Sequence, residues 1–306
     1  GDATTSDGLF VFTGGSFEVT IGDRVRVDGQ VQEYFGQTQI GSLGSVQICA
    51  TDQPLPLVQI AQMPFPAAVG GVDYLERYEG MYVQFPQQLH VTELFQLGRF
   101  GQLSLSAGGR LYQFTHDSTP DAASFAAHQE AVALNSIILD DLLQTQNPDA
   151  IIYPFPQLTA APEDALRGGM TVTGLTGVLT WTWSGNSASG NAWRLRPIST
   201  AEVDLPVFDR AANPRPLDPP AVNGEIKVAS FNVQNYFVTL RSTGALTGPN
   251  LDLQPRGAWD QQELDRQTAK TVNAILAIDA DVYALSELEN NGTGPGTRRR
   301  RAWSDA

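Results

Sequence analysis

Glu225-Ile-Lys-Val-Ala-Ser-Phe-Asn-Val-Gln-Asn-Tyr-Phe237 and Ala280-Asp-Val-Tyr-Ala-Leu-Ser-Glu-Leu-Glu-Asn-Asn291 decide how the rest of the chain is read. Each is an apolar run that ends in a polar residue able to touch metal or phosphate, Asn232 in the first and Glu287 in the second. Ile226 to Val233 is almost continuously apolar, the pattern of a strand buried on both faces. Between the two stretches, Asp260 with Glu263 three residues on is a helix N-cap, and Trp259 can staple onto Leu264. The inward helix face is predicted as Leu264, Thr268, Val272, Ile275 and Leu276, and Asp279-Ala-Asp281 stops the helix. Strand, helix, strand in this order makes two parallel neighbouring strands whose C-terminal ends share one sheet edge. Asn232 and Glu287 both sit at those ends. A carboxylate is a hard oxygen ligand for magnesium, which accepts one or two protein carboxylates beside phosphate and water. An asparagine amide can donate to a phosphoryl oxygen. A carboxylate and an amide at strand ends are also common in purely structural roles.

Upstream the pattern is all-β. Gly8-Leu-Phe-Val-Phe12 and Phe17-Glu-Val-Thr-Ile21 read as strands, and Arg24 to Phe35 places Val25, Val27, Val31 and Phe35 largely on alternating positions, predicting one buried face. Gly36 turns the chain into Gln37-Thr-Gln-Ile40, giving a curled antiparallel meander. Gly169 to Trp183 followed by Asn191 to Ile198 repeats this order, as an internal repeat would. Gly80 to Phe85, Gln88 to Thr92 and Gly101 to Ser106 supply further strands. Pro54-Leu-Pro56 and Met63-Pro-Phe-Pro66 read as a stiff connector. Thr119-Pro-Asp121 starts a helix with the proline at its first position, running to about Leu134, and Asn135 to Asp140 reads as a strand. Val207 to Asn223, with four prolines, marks a domain boundary.

Composition bounds the function. The 306 residues, 42% of them hydrophobic, suffice for two or three domains. There is no run of eighteen apolar residues to span a bilayer, and the N-terminus lacks the basic start and apolar stretch of a signal peptide. The single cysteine, Cys49, excludes an internal disulfide framework and reads as a small buried hydrophobe. A net charge of -14 argues against tight nonspecific binding of polyanions. Residues 1–216 hold 10 basic and 22 acidic side chains, whereas 217–306 hold 9 and 11, so the acidity lies upstream. Trp181, Trp183 and Trp193 can stack on bases or sugars, but that acidity favours cross-strand packing. His90, His116 and His128 lack any metal-ligand spacing.

Val228-Ala-Ser-Phe-Asn-Val233 and Asp281-Val-Tyr-Ala-Leu-Ser-Glu287 resemble the opening motifs of the endonuclease/exonuclease/phosphatase superfamily, the DNase I-like fold. Phe231 to Phe237, Arg256-Gly-Ala258, Glu263-Leu-Asp-Arg-Gln267 with Lys270, and Glu287-Leu-Glu-Asn-Asn-Gly292 are similar to its bacterial secreted nucleases. Phe10-Val-Phe-Thr-Gly-Gly15 and Tyr34-Phe-Gly-Gln-Thr-Gln-Ile40 are similar to the OB-like modules that precede the nuclease domain there. The resemblance implies an extracellular hydrolase of phosphodiester bonds using Mg2+ or another divalent cation, with DNA or another nucleic acid as substrate. Glu287 would be a metal ligand and Asn232 a phosphate contact or support. The family's late histidine-aspartate pair has no counterpart here, and Arg298 to Ala306 departs from the family pattern. The expectation is a nuclease domain cut short by an out-of-frame tail and inactive on its own, in preference to a phosphate-binding arginine tail.

The fold class expected is therefore mainly β with an α/β C-terminal part. Residues 1–70 form an OB-like β-barrel, with or without its opening strand. Residues 71–206 form a second OB-like β module with an inserted helix, and 207–224 a Pro-rich linker. Residues 225–306 supply the first β-α-β unit of a DNase I-like α/β sandwich, with an atypical tail at 298–306. The alternative function is a non-enzymatic OB-fold module that binds nucleic acid, a sugar or a partner domain.

Overall fold

The computed structural model describes residue 2 and residues 4–67, 71–148, 165–185 and 187–290, which leaves the arginine-rich tail outside the described residues. The chain divides into two compact units, with the division between Arg215 and Pro216.

The first unit opens with a three-stranded sheet in the order β1-β3-β2, from β1 (Phe10–Val11), β2 (Arg24–Tyr34) and β3 (Gln37–Ala50). Its hairpin turns through Phe35 and Gly36, at φ 53° and 81°. Two consecutive positive φ values match the right-handed twist of the flanking strands. Among the described residues β1 and β2 do not pair, so the sheet of this segment stays open. The predicted strand at Phe17 to Ile21 does not form, because those residues lie outside any ladder and are exposed. The alternation in β2 is present without a covering layer: Val31 and Phe35 are 69% and 56% exposed. Cys49 is likewise exposed on β3 rather than buried, because an apolar side of a sheet is buried only if a second layer meets it.

Then follow β4 (Gln59–Ile60), β5 (Tyr82–Glu93), α1 (Leu97–Phe100), β6 (Gln102–Ala107), α2 (Phe114–Asp117), α3 (Ala122–Leu134), β7 (Ile137–Asp140), β8 (Thr171–Thr182) and β9 (Ala192–Arg196). The fold is mainly β, and its centre is a closed five-stranded barrel in the order β5-β6-β7-β9-β8, shut by pairing of β8 back onto β5. All its pairs are antiparallel except β7 with β9. Strand β5 is continuous where the sequence suggested two strands, with a register shift between Phe85 and Gln88 that lets it bend around the barrel. Gly177 is required where β8 crosses β9, since a Cβ there would stand 2.6 Å from the Arg196 carbonyl oxygen. Leu89, Leu105, Leu139, Leu179 and Leu195 are fully buried in the core, each contributing roughly 1.5–3 kcal/mol of transfer free energy.

Parts of two predicted linkers pack on this core. Ala61, Met63 and Phe65 are buried in the core cluster, so residues 61–65 of the predicted stiff connector are docked, whereas Leu57 before them is 89% exposed. Phe208 is also buried there, and Asp209 exchanges backbone hydrogen bonds with Thr171, so the predicted 207–224 linker is anchored at its start. Apolar side chains flanking the prolines explain both, because burial outweighs the stiffness that prolines confer. In α3 the N-cap is Asp121, whose Oδ2 accepts from the Ser124 N–H at 2.7 Å. Pro120 therefore precedes the cap and does not occupy the first helical position.

The second unit contains β10 (Val228–Tyr236), α4 (Gln261–Ile278) and β11 (Val282–Leu288). Strands β10 and β11 are parallel, with Val228 opposite Val282 and Asn232 opposite Ser286. Asp260 caps α4 by accepting from the Glu263 N–H at 2.9 Å, while the Glu263 carboxylate accepts from the Trp259 N–H at 2.7 Å. The buried side of α4 is Leu264 and Thr271, and Leu276 faces solvent at 70% exposure. Val228 and Val282 are 70% and 52% exposed, which corrects the expectation of strands buried on both faces. A two-stranded sheet with one helix has only one covered face.

Candidate functional site

Side chains alternate along a strand, so with Asn232 opposite Ser286 the next residue, Glu287, would point to the other face. A left-handed backbone at Glu287, φ 63°, breaks that alternation. The partner strand is irregular at the same level: Gln234 and Asn235 have φ 58° and 53°, and pairing resumes only at Tyr236 with Leu288. Three non-glycine residues in this region of φ/ψ space cost on the order of 1–3 kcal/mol each, and such strain clusters at functional sites.

The bulge brings the two predicted residues together. Asn232 Nδ2 donates to Glu287 Oε1 at 2.7 Å, and the Asn235 N–H donates to Oε2 at 2.9 Å. The Asn232 carbonyl oxygen in turn accepts from the Gln234 N–H at 2.8 Å. Helix α4 holds the bulge from behind, with Gln267 Nε2 donating to the carbonyls of Val233 and Gln234 at 3.1 and 2.8 Å. The amide of Asn232 thus orients the carboxylate, and both side chains are exposed, Glu287 near the C-terminal end of β11 and Asn232 in mid-β10, at the last regular pair before the bulge.

Glu289 is a member of the site that sequence reasoning passed over. It is 4% exposed, and its carboxylate accepts from the Val238 and Thr239 N–H groups at 2.9 and 3.1 Å and from the Thr247 hydroxyl at 2.6 Å. It fixes the loop after β10 beside the bulge. Its position directly after the apolar run that ends at Leu288 was the available signal, since an acidic residue that becomes buried there needs partners.

The donor set fits a magnesium-type ion in one respect. An oriented, exposed carboxylate with two of its four lone-pair positions uncommitted can supply one oxygen, and a hydrogen-bonded outer partner such as Asn232 is what tunes such a ligand. Among the described residues no group of three or more His, Cys, Asp or Glu side chains is arranged to hold a metal. An ion here would rest on Glu287, with water and substrate oxygens completing its shell.

The tryptophans pack within the first unit. Trp181 and Trp193 are opposite each other on β8 and β9 with ring centroids 5.1 Å apart. Trp183 meets Tyr34 and Phe35 of the β2–β3 hairpin at 5.7 and 5.1 Å. Two of the three histidines, His116 and His128, share a cleft of about 510 Å³ with Arg110 and Tyr112, a grouping invisible in their spacing. Comparison with models of protein families, with curated proteins and with solved structures finds no match to this chain.

Proposed function

We propose that residues 225–290 carry the metal-and-phosphate part of a divalent-cation-dependent phosphodiesterase acting on DNA or another nucleic acid, in a secreted protein of the endonuclease/exonuclease/phosphatase type. The supporting observation is the Asn232–Glu287 hydrogen bond, 2.7 Å, at the break in pairing between two parallel strands. Glu287 would hold Mg2+, which when bound stabilises charge growing on phosphoryl oxygens and acidifies a water. Asn232 keeps the carboxylate aimed, and its exposed amide edge is available to a phosphate oxygen. In this reading β10-α4-β11 is the first β-α-β unit of a DNase I-like sandwich. The order β5-β6-β7-β9-β8 supports an OB-type Greek-key barrel upstream.

No histidine follows His128 in the sequence, so residues 225–306 do not hold the histidine that the resembled family uses as proton carrier. Plasmid nicking in Mg2+ by this chain alone is therefore expected to be weak or absent. The discriminating measurement is Mn2+ titration followed by NMR. Selective broadening of the Asn232 side-chain amide and the Asn235 N–H in the native chain, abolished in Glu287→Ala, is the expected result. Absence of that broadening, or nicking that survives Glu287→Ala, rejects the site. The second reading, a non-enzymatic binding module, is favoured by the closed barrel and the cleft beside it.

A further inference from the structure

The cleft of about 510 Å³ lies where the 108–136 connection folds over β5 and β6, and its size falls in the range of small-molecule sites. We propose that it binds a nucleoside monophosphate, with the Tyr112–His116 pair as platform for the base and Arg110 as the phosphate contact. This rests on the barrel unit alone and is independent of the nuclease reading.

The platform is built. The Tyr112 and His116 rings are stacked, 4.6 Å apart and 12° from parallel, and both side chains are exposed. His128 also lines the cleft, tilted against the buried ring of Phe114 at 5.5 Å, which ties α2 to α3. With His116 stacked on Tyr112 and Arg110 also over the Tyr112 ring, the ring that a base would meet is His116, held flat by Tyr112, and an exposed aromatic face accepts any base by stacking. Gln113 and Gln129 also line the cleft, and a carboxamide offers both a donor and an acceptor to a base edge.

The anion contact is positioned rather than incidental. The loop before Arg110 is pinned by the Ser106 hydroxyl donating to the Gly109 carbonyl at 2.7 Å, and by the Leu111 N–H donating to the Thr92 hydroxyl at 3.1 Å. The Arg110 guanidinium lies over the Tyr112 ring at 5.4 Å. It also lies close against Gly168, where a Cβ would approach its Cζ to 2.9 Å. Among the described residues no carboxylate pairs with it, in a chain with 33 acidic and 19 basic side chains; Glu93 lines the same cleft but its carboxylate accepts from the Phe95 N–H. A guanidinium held against an aromatic ring and left without a carboxylate is suited to phosphate. The unit's acidity disfavours a long polyanion, whereas a mononucleotide brings at most two charges.

The test is titration with AMP and with adenosine, read by NMR and calorimetry, on the whole chain and on Arg110→Met and Tyr112→Leu; both side chains are exposed, so folding is preserved. Saturable AMP binding that moves the imidazole signals of His116 and His128 is expected. Arg110→Met should weaken AMP by at least about tenfold and leave adenosine unchanged, whereas Tyr112→Leu should weaken both by about fivefold or more. Absence of saturation at millimolar AMP, equal affinity for AMP and adenosine, shifts that map elsewhere, or preference for a neutral disaccharide over AMP would each overturn the proposal.

Discussion

Glu79 shows at the scale of one residue how burial couples to pH. It is 6% exposed, and its Oε2 accepts from the Thr38 N–H of β3 at 3.4 Å. Burial pushes its pKa up to about 7, the Thr38 N–H works against that, and Glu76 and Glu33 raise it further. The native protein therefore holds this proton more tightly than the unfolded chain, whose value is near 4.5. The associated stability is full below about pH 4.5 and is lost as pH rises through about 7. Thermal midpoints measured from pH 4 to 9 should fall over that window in the native chain and stay flatter in Glu79→Gln; parallel curves would show that Glu79 is not the group responsible. Glu289 is the opposite kind of buried carboxylate, with three donors in place. Glu289→Ala strands those donors and should cost about 3 kcal/mol, seen as a lower urea midpoint and faster exchange at the Val238 and Thr239 amides. An unchanged midpoint would mean that water replaces the carboxylate at no cost.

Between elements, the barrel seam carries a buried ionic group. Asp140 on β7 is fully buried and receives Gln102 Nε2 of β6 at 3.0 Å, with Arg194 and Arg196 of β9 at 3.6 and 3.8 Å. Burial raises the Asp140 pKa and the two arginines oppose that rise. Removing the carboxylate takes a buried counter-charge away from two largely buried guanidinium groups. Asp140→Ala should cost about 3–5 kcal/mol by denaturant melts, whereas a loss under 1 kcal/mol, about the worth of a surface pair, would show the seam does not depend on it. The β10–β11 pair presents the reverse situation, a sheet with one face open. Hydrogen exchange should therefore be much faster across 228–233 than across the C-terminal half of β5, where Leu89 and Val91 are fully buried. Equal protection in the two strands would show that the open face is covered in solution.

Over the whole molecule, the features legible in the sequence are those that one segment decides alone. Alternation marked β2, the Asp260–Glu263 pair marked the start of α4, and Asp279 marked its end in a left-handed C-cap at φ 49°. Parallel pairing of the strands on either side of α4 followed from their order, and it brought Asn232 and Glu287 to the same level of the sheet, with Asn232 opposite Ser286 and Glu287 one residue on. These are interactions within a few residues, or consequences of chain direction, so composition and spacing suffice to read them. What only the tertiary structure decided depends on which distant segments meet. Closure of the barrel joins Tyr82 to Val178, and the segment at 61–65 packs on that core despite Pro64. Cys49 and Val31 stay exposed because no layer reaches them. The left-handed turn at Glu287 answers a bulge on the other strand, and Arg110, Tyr112, His116 and His128 share a cleft only because α2 and α3 fold back over β5 and β6. Burial and side-chain direction at those positions are properties of the assembled layers, which no local pattern of residues contains.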